Sequence, residues 1–270
     1  MMFTLKNVSY TIKTRKGDRT LVDVPELRIP KHQFTALIGQ NGAGKTTLLN
    51  MLSGDEQPTT GEIRFDDYLL QDYTIAELAQ KRCVLPQLQH IPFAINVMAV
   101  LSMGLMPHGV SYRYEGAHNV MMEVAEHLQL THLLDRTYQV LSGGEQHRTQ
   151  IGRVLVQALF ELETCGEDRL LLLDEPFNHL DLYHQKHLLK YFKTLQEKGI
   201  TIVCVMHDLN QALHAVDQCI VLKQGQLHGV YQVNELKNGR ILGEVFNIPF
   251  VELTNQEYPN AHSLSIFGYE

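Results

Sequence analysis

Three runs of this chain have no polar face. FTALIG (34–39), LLLLDEP (170–176) and ITIVCVMHD (200–208) are apolar on consecutive positions, where a half-exposed strand would alternate. Each is short and rich in aliphatic residues, so each predicts a strand buried on both sides, as in parallel sheets covered by helices. Near the start, FTLKNVSYTI and LVDVPELRI flank the polar TRKGDR, predicting two antiparallel strands joined by a hairpin turn. Helical spacing appears in TTLLNMLSG, with Gly54 as its cap, in 75–82, and in YHQKHLLKYFKTLQEKG, ending at Gly199. RCVLPQ (82–87) predicts a strand that breaks at Pro86. From about 88 to 155 the pattern is helical, as in NVMAVLSMGL and HNVMMEVAEHLQLTHLL. NQALHAVDQ predicts a helix, and CIVLKQGQLHGV a hairpin turning near Gly225. Strands alternating with helices imply an α/β protein.

We therefore expect one domain over 1–270. Its core is 1–87 with 156–240, its helical subdomain is 88–155, and 241–270 is a C-terminal appendage. EYPNAHSLSIFGYE lies in that appendage and is ambiguous.

Composition narrows the function classes. The formal charge of -7 disfavours a general nucleic-acid binder, which would show a basic stripe. Cys83, Cys165, Cys204 and Cys219 are far apart and form no CxxC pair, so they read as buried or free thiols of a reducing compartment. The first residues lack a signal-peptide core. The most membrane-like window, 91–107, is short and interrupted by Asn96, Ser102, Gly104 and two prolines, which predicts a buried helix plus turn. A membrane role would then come through a partner.

The chemistry gathers at the ends of the buried strands. GQNGAGKT (39–46) fits G-x-x-x-x-G-K-[ST] with Gly39, Gly44, Lys45 and Thr46, between a predicted strand and a predicted helix. Backbone N–H groups would curl around a polyphosphate, Lys45 would neutralise its terminal phosphates, and the Thr46 hydroxyl would hold Mg²⁺. Asp174 would hold Mg²⁺ through water, and the adjacent Glu175 would polarise an attacking water as general base. Two residues carry two readings each. His207 ends a strand at the same sheet edge, either near the terminal phosphate or simply exposed. Gln87 is either a plain loop amide or a ligand to Mg²⁺ or water that reports the γ-phosphate.

Taken together, GQNGAGKTT, Gln87, LSGGEQ (141–146), LLLLDEP, the loop Asn178-His179-Leu180-Asp181 and His207 resemble the ATP-binding subunit of an ABC transporter. The resemblance runs from about Tyr10 to residue 230, and LSGGEQ is its discriminating element. It implies a phosphate-loop NTPase core with a mainly parallel central sheet, an N-terminal antiparallel β-subdomain and an inserted α-helical subdomain. It makes Gln87 the Q-loop glutamine, Glu175 the base, His207 the switch histidine and Asp181 the D-loop acid. Tyr10 matches the aromatic that stacks on adenine, although a strand tyrosine packing locally is the competing reading. The nucleotide contacts implied are Tyr10, Gly39, Gln40, Asn41, Gly42, Ala43, Gly44, Lys45, Thr46 and Thr47, with Thr46, Gln87 and Asp174 at Mg²⁺.

The same resemblance implies two copies pairing head to tail. Ser142, Gly143, Gly144 and Glu145 of one copy would close over the ATP of the other, and two membrane permease subunits would receive the motion through Gln87 and residues 88–110. For the apolar stretch 91–106, a docking groove and core packing both stand. Phe177 departs from the family's usual Thr or Ser after DEP. LDLYHQKH, GLMPHG and the spacer ELETCGEDR look like importers of iron chelates, especially haem, with siderophore and cobalamin importers in the same wider group. That implies an indirect partner, a periplasmic or lipoprotein substrate-binding protein, and a place on the cytoplasmic face of a bacterial inner membrane.

His184 and His187, with His179 nearby, suggest either a metal or haem site or a solvated helix face. The solvated face is the better reading, because no carboxylate or cysteine completes a ligand set. The rivals fit less well. Soluble ABC ATPases of translation or DNA repair have twin cassettes or a long coiled-coil insertion, a kinase leaves LSGGEQ unexplained, and a non-hydrolysing module leaves Lys45, Asp174, Glu175 and His207 unexplained.

Overall fold

The structure, a computed structural model, describes residues 1–87, 91–160, 168–254 and 262–266. Along the chain run β1 (Phe3–Thr14), β2 (Gly17–Ile29), β3 (Phe34–Gly39), α1 (Lys45–Ser53), β4 (Thr60–Phe65), β5 (Tyr68–Leu69), α2 (Ile75–Lys81) and β6 (Arg82–Leu85). Then come α3 (Val97–Ser102), α4 (Glu115–His127), α5 (Gly143–Leu159), β7 (Leu170–Asp174), α6 (Leu182–Glu197) and β8 (Thr201–Val205). Last are α7 (Leu209–Ala215), β9 (Gln218–Lys223), β10 (Gln226–Gln232), α8 (Val233–Leu236), α9 (Arg240–Phe246), β11 (Phe250–Thr254) and β12 (His262–Ile266). The chain forms two compact units, one of Met1–Asp72 with Val203–Glu270 and one of Tyr73–Ile202.

In the first unit the strands lie in the order β5-β4-β1-β2-β10-β9-β3-β8. The N-terminal part is antiparallel: β1 pairs with β2 on one side and with β4 on the other. β3 pairs parallel with β9, and every residue of β3 is buried, as its unbroken apolar run demands. The start of β3 is pinned by Asp217, whose side chain accepts from Phe34 N at 2.8 Å and whose own N donates to Phe34 O at 2.8 Å.

Two local features differ from the sequence reading. The hairpin turn is tighter than TRKGDR, because Thr14 already pairs with Gly17 and only Arg15 and Lys16 turn. The strand β4 carries no strong apolar run, yet its Ile63 and Phe65 are buried, and Phe65 packs on Phe3 with ring centroids 5.1 Å apart. Within β1, Phe3 and Leu5 are buried and the next buried residue is Val8. The slip comes from Asn7, which sits at φ 49 where the β1–β4 register shifts.

The second unit combines the parallel pair β6 and β7 with the helices α2 to α6. All five residues of β7 are buried. Its long helix α5 contacts α3, α4 and β6. Gln157, near the end of α5, donates to Ala79 O at 2.7 Å, and its carbonyl accepts from His108 Nε2 at 3.1 Å. The helical pattern is more broken than the sequence implies. The first helix of this region is only Val97–Ser102, followed by 3-10 turns over Met103–His108. α4 stops at His127, and Gln129 turns the chain at φ 54.

No helix among the described residues is long and apolar enough to cross a membrane. In the 91–106 stretch, Val97, Val100, Leu101 and Leu105 are buried while Phe93 and Met106 are exposed. Ile91 is buried with them, Ala94 is exposed, and Ile95, Met98, Ala99 and Met103 are half-buried, so core packing takes only part of the stretch. In the appendage, β11 and β12 form an antiparallel pair.

Cys83, Cys204 and Cys219 are buried thiols outside any disulfide; Cys165 lies outside the described residues. Burial pushes the thiols of Cys83 and Cys219 up to about 12. At pH 8 both will resist iodoacetamide in the native chain and react once it is denatured. Mass mapping of the alkylated cysteines before and after unfolding checks this.

Candidate functional site

The glycine loop 39–44 joins β3 to α1. Gly44 is the N-cap of α1 in a left-handed conformation, φ 93, and no side chain caps the first turn. A Cβ at Gly44 would lie 2.7 Å from Leu21 O and 2.8 Å from Val22 Cγ2, so both conformation and space require glycine. The uncapped N–H groups and the positive end of α1 suit an anion. Lys45 is buried, and its Nζ donates to Gly39 O at 2.9 Å and to Gln40 O at 3.0 Å. Asn41 and Gly42 are exposed, Ala43 is buried, and Thr46 and Thr47 are half-buried on the first turn. The side chain of Gln40 is engaged elsewhere, donating to Phe246 O at 2.9 Å.

Two more predicted residues belong to this unit. Tyr10 is half-buried on β1, and its hydroxyl donates to Glu56 Oε2 at 2.6 Å. That hydrogen bond raises the phenol pKa. Glu56 thereby anchors the predicted adenine-stacking ring, a role no local sequence signal announces. His207 is exposed, two residues beyond β8, and Met206 N donates to Leu37 O at 3.2 Å. This places it at the same sheet edge as the loop that leaves β3.

The second unit holds the acids. Asp174, the last residue of β7, is 2% exposed. Glu175 follows at φ 53, a backbone conformation that costs a non-glycine residue about 1 kcal/mol or more. Two amides converge on its carboxylate: Gln87 Nε2 donates to Oε2 at 3.2 Å, and Asn178 Nδ2 donates to the same oxygen. Phe177, the departure from the family pattern, is buried and packs edge-on against Phe192 of α6, centroids 5.9 Å apart. The loop is thus held by aromatic packing, and Gln185 donates to the carbonyls of Phe177 and Leu180 at 3.2 and 3.0 Å. Asp181 ends it as the N-cap of α6, accepting from His184 N at 2.9 Å and His184 Nδ1 at 2.8 Å.

LSGGEQ opens α5. Ser142 is its N-cap, and Ser142 with Glu145 forms a reciprocal capping box. The hydroxyl and the N–H of Ser142 each donate to Glu145 Oε2 at 2.8 Å, and these bonds hold the Glu145 carboxyl below the usual carboxylate range. The S-x-x-E spacing that signals this capping box is visible in the sequence. Ser142 and Gly143 are exposed, and nothing lies within 4 Å of a Cβ built at Gly143.

On α6, His184 is half-buried and His187 is exposed. His184 is taken by Asp181, and His187 leans on Tyr183 with centroids 4.3 Å apart. Among the described residues no group of three or more His, Cys, Asp or Glu could hold a metal ion.

These features have counterparts in known proteins. The ABC transporter family pattern matches residues 22–178. The chain belongs to the ABC transporter family. It is 36% identical to the Hemin import ATP-binding protein HmuV of Escherichia coli O157:H7, over 84% of each chain. It is 37% identical to the protein of the same name from Rhodopseudomonas palustris strain BisA53, over 86% of this chain and 84% of that one. Among solved structures it resembles a dimeric ATP-binding cassette in a post-hydrolysis state bound to ADP and Pi, with a TM-score of 0.74 at 26% identity, covering 86% of this chain and 99% of that one. The fold is that of ABC ATPases, and the chain is an ABC ATPase that binds nucleotide.

Gly44→Ala tests the ABC phosphate loop. Its Cβ must displace Leu21 or distort the first turn of α1, so ADP affinity will fall at least about tenfold. Isothermal titration of the variant against wild type, with a melting curve to verify the fold, checks this.

Proposed function

We propose that this ABC ATPase is the energising subunit of a bacterial importer whose cargo is an iron chelate, haem in the first instance. The support for the cargo is the 36–37% identity to ATP-binding proteins named for hemin import. The support for the chemistry is the convergence of Gln87 and Asn178 on the Glu175 carboxylate.

In this reading the residues divide the work as follows. The N–H groups of Gly39–Thr47 and the Lys45 ammonium bind the phosphates of ATP. Tyr10 stacks on adenine. The Thr46 hydroxyl, the Asp174 carboxylate and the Gln87 amide oxygen are hard oxygen donors, which suits Mg²⁺. When bound, Mg²⁺ would neutralise charge on the phosphates. Glu175 takes a proton from the attacking water, and its two amide partners hold the carboxylate in place. His207 contacts the terminal phosphate as switch.

A second copy of the chain supplies the signature. The exposed Ser142 and Gly143, at the N-terminal end of α5, approach the γ-phosphate of the other copy's ATP, with Gly144 and Glu145 behind them and Asp181 on the D-loop. Dimer closure and opening pass to two permease subunits through Gln87 and residues 88–110, where Phe93 and Met106 are exposed. This places the chain at the cytoplasmic face of the inner membrane, with a periplasmic or lipoprotein binding protein as indirect partner and no nucleic acid.

Glu175→Gln will retain ATP binding and lower turnover by at least about a hundredfold, with an ATP-bound dimer accumulating on a sizing column. Wild-type turnover in that variant would remove Glu175 as base. Ser142→Arg will still bind ATP and will neither dimerise nor turn over; normal turnover there would end the shared-site reading. For the cargo, deletion of the gene will abolish growth on haem as iron source while sparing ferric siderophores. Loss of siderophore or cobalamin uptake with haem uptake intact would reassign the importer.

A further inference from the structure

Resting on that reading of Glu175 and the signature, we infer that His147 is a positioning residue that ties the first turn of α5 to the loop carrying the base. Signature and base of one subunit would then move as a single body.

The ring of His147, one turn into α5, has its Nε2 at 2.8 Å from Pro176 O, the carbonyl next to Glu175. A carbonyl only accepts, so His147 donates. Burial pushes its imidazole pKa down, which favours the neutral ring with the proton on Nε2. The same ring meets that of His179 edge-on, centroids 6.0 Å apart. Three residues earlier on the same face of α5, Gly144 lies against the loop as well. A Cβ there would come within 2.9 Å of His179 O.

The loop that receives these contacts is strained at both ends. Glu175 has φ 53 and His179 has φ 62, and such conformations persist where the surroundings over-determine them. Asn178 N closes a turn on Glu175 O at 3.2 Å. From outside the loop, Gln185 of α6 holds the carbonyls of Phe177 and Leu180, and His147 holds that of Pro176. His147 thus links the strained backbone to the helix whose N-terminus meets the partner's ATP. Displacement of the signature at one ATP is conveyed to the base at the other through the His147 hydrogen bond and the Gly144 contact.

The test uses ATPase kinetics of the full chain with His147→Ala, His147→Gln and His147→Phe. The alanine variant will lose about tenfold in kcat with KM for ATP within about twofold, the signature of a group that acts after binding. Glutamine, whose amide can donate to the same carbonyl, will recover most of the rate. Phenylalanine, which fills the space without a donor, will not. ADP affinity will match wild type in each variant that folds. Equal kcat for the glutamine and phenylalanine variants, or a rise in KM at unchanged kcat, would overturn the inference. Glu175→Gln measured alongside fails or succeeds on its own terms, so loss of the base assignment is distinguishable from loss of the His147 role.

Discussion

The structure depends on strands that bury both faces. β3, β7 and β8 have no exposed residue, so none of them can carry a polar side chain along its length without a large desolvation cost. Candidate chemistry therefore concentrates at their last residues and just beyond them. The phosphate loop follows β3, the Asp174–Glu175 pair closes β7, and His207 lies just past β8. In the first unit the loop that leaves β3 opens α1, whose uncapped first turn suits an anion.

The loops at these strand ends are rigid in different ways. The phosphate loop keeps its form through Gly39 and Gly44, where neighbouring backbone leaves no room for a Cβ, and through Lys45 folded over its carbonyls. The loop after β7 has no glycine. It keeps two non-glycine residues in left-handed conformations by hydrogen bonds from α5 and α6 and by the packing of Phe177 on Phe192. The family's usual hydroxyl after DEP is thus replaced by an aromatic anchor. The chain retains the Asp-Glu pair and the D-loop cap at Asp181.

The signature has a double use. Ser142 and Glu145 close the capping box of α5, and the same turn leaves Ser142 and Gly143 exposed. A helix N-terminus that satisfies itself with its own side chains keeps its shape before any ligand arrives, while its dipole and exposed N–H groups remain available to an anion.

The sequence by itself determined the kind of protein and named its candidate chemical residues. An unbroken apolar run, a glycine loop with lysine and an Asp-Glu strand end are short-range patterns, and short-range patterns are read without a fold. It also set the boundaries of the well-punctuated elements, such as the helix that stops at Gly54. What it left open depends on residues distant in the chain. β4 exists because β1 offers it an edge some fifty residues away, and the slip at Asn7 follows from that pairing. Tyr10 acquires its anchor from Glu56, Glu175 its amide partner from Gln87, and Pro176 its donor from His147. No spacing predicts these pairs, because each is created only when packing brings two separate segments together, and tertiary structure alone decides which polar groups then meet.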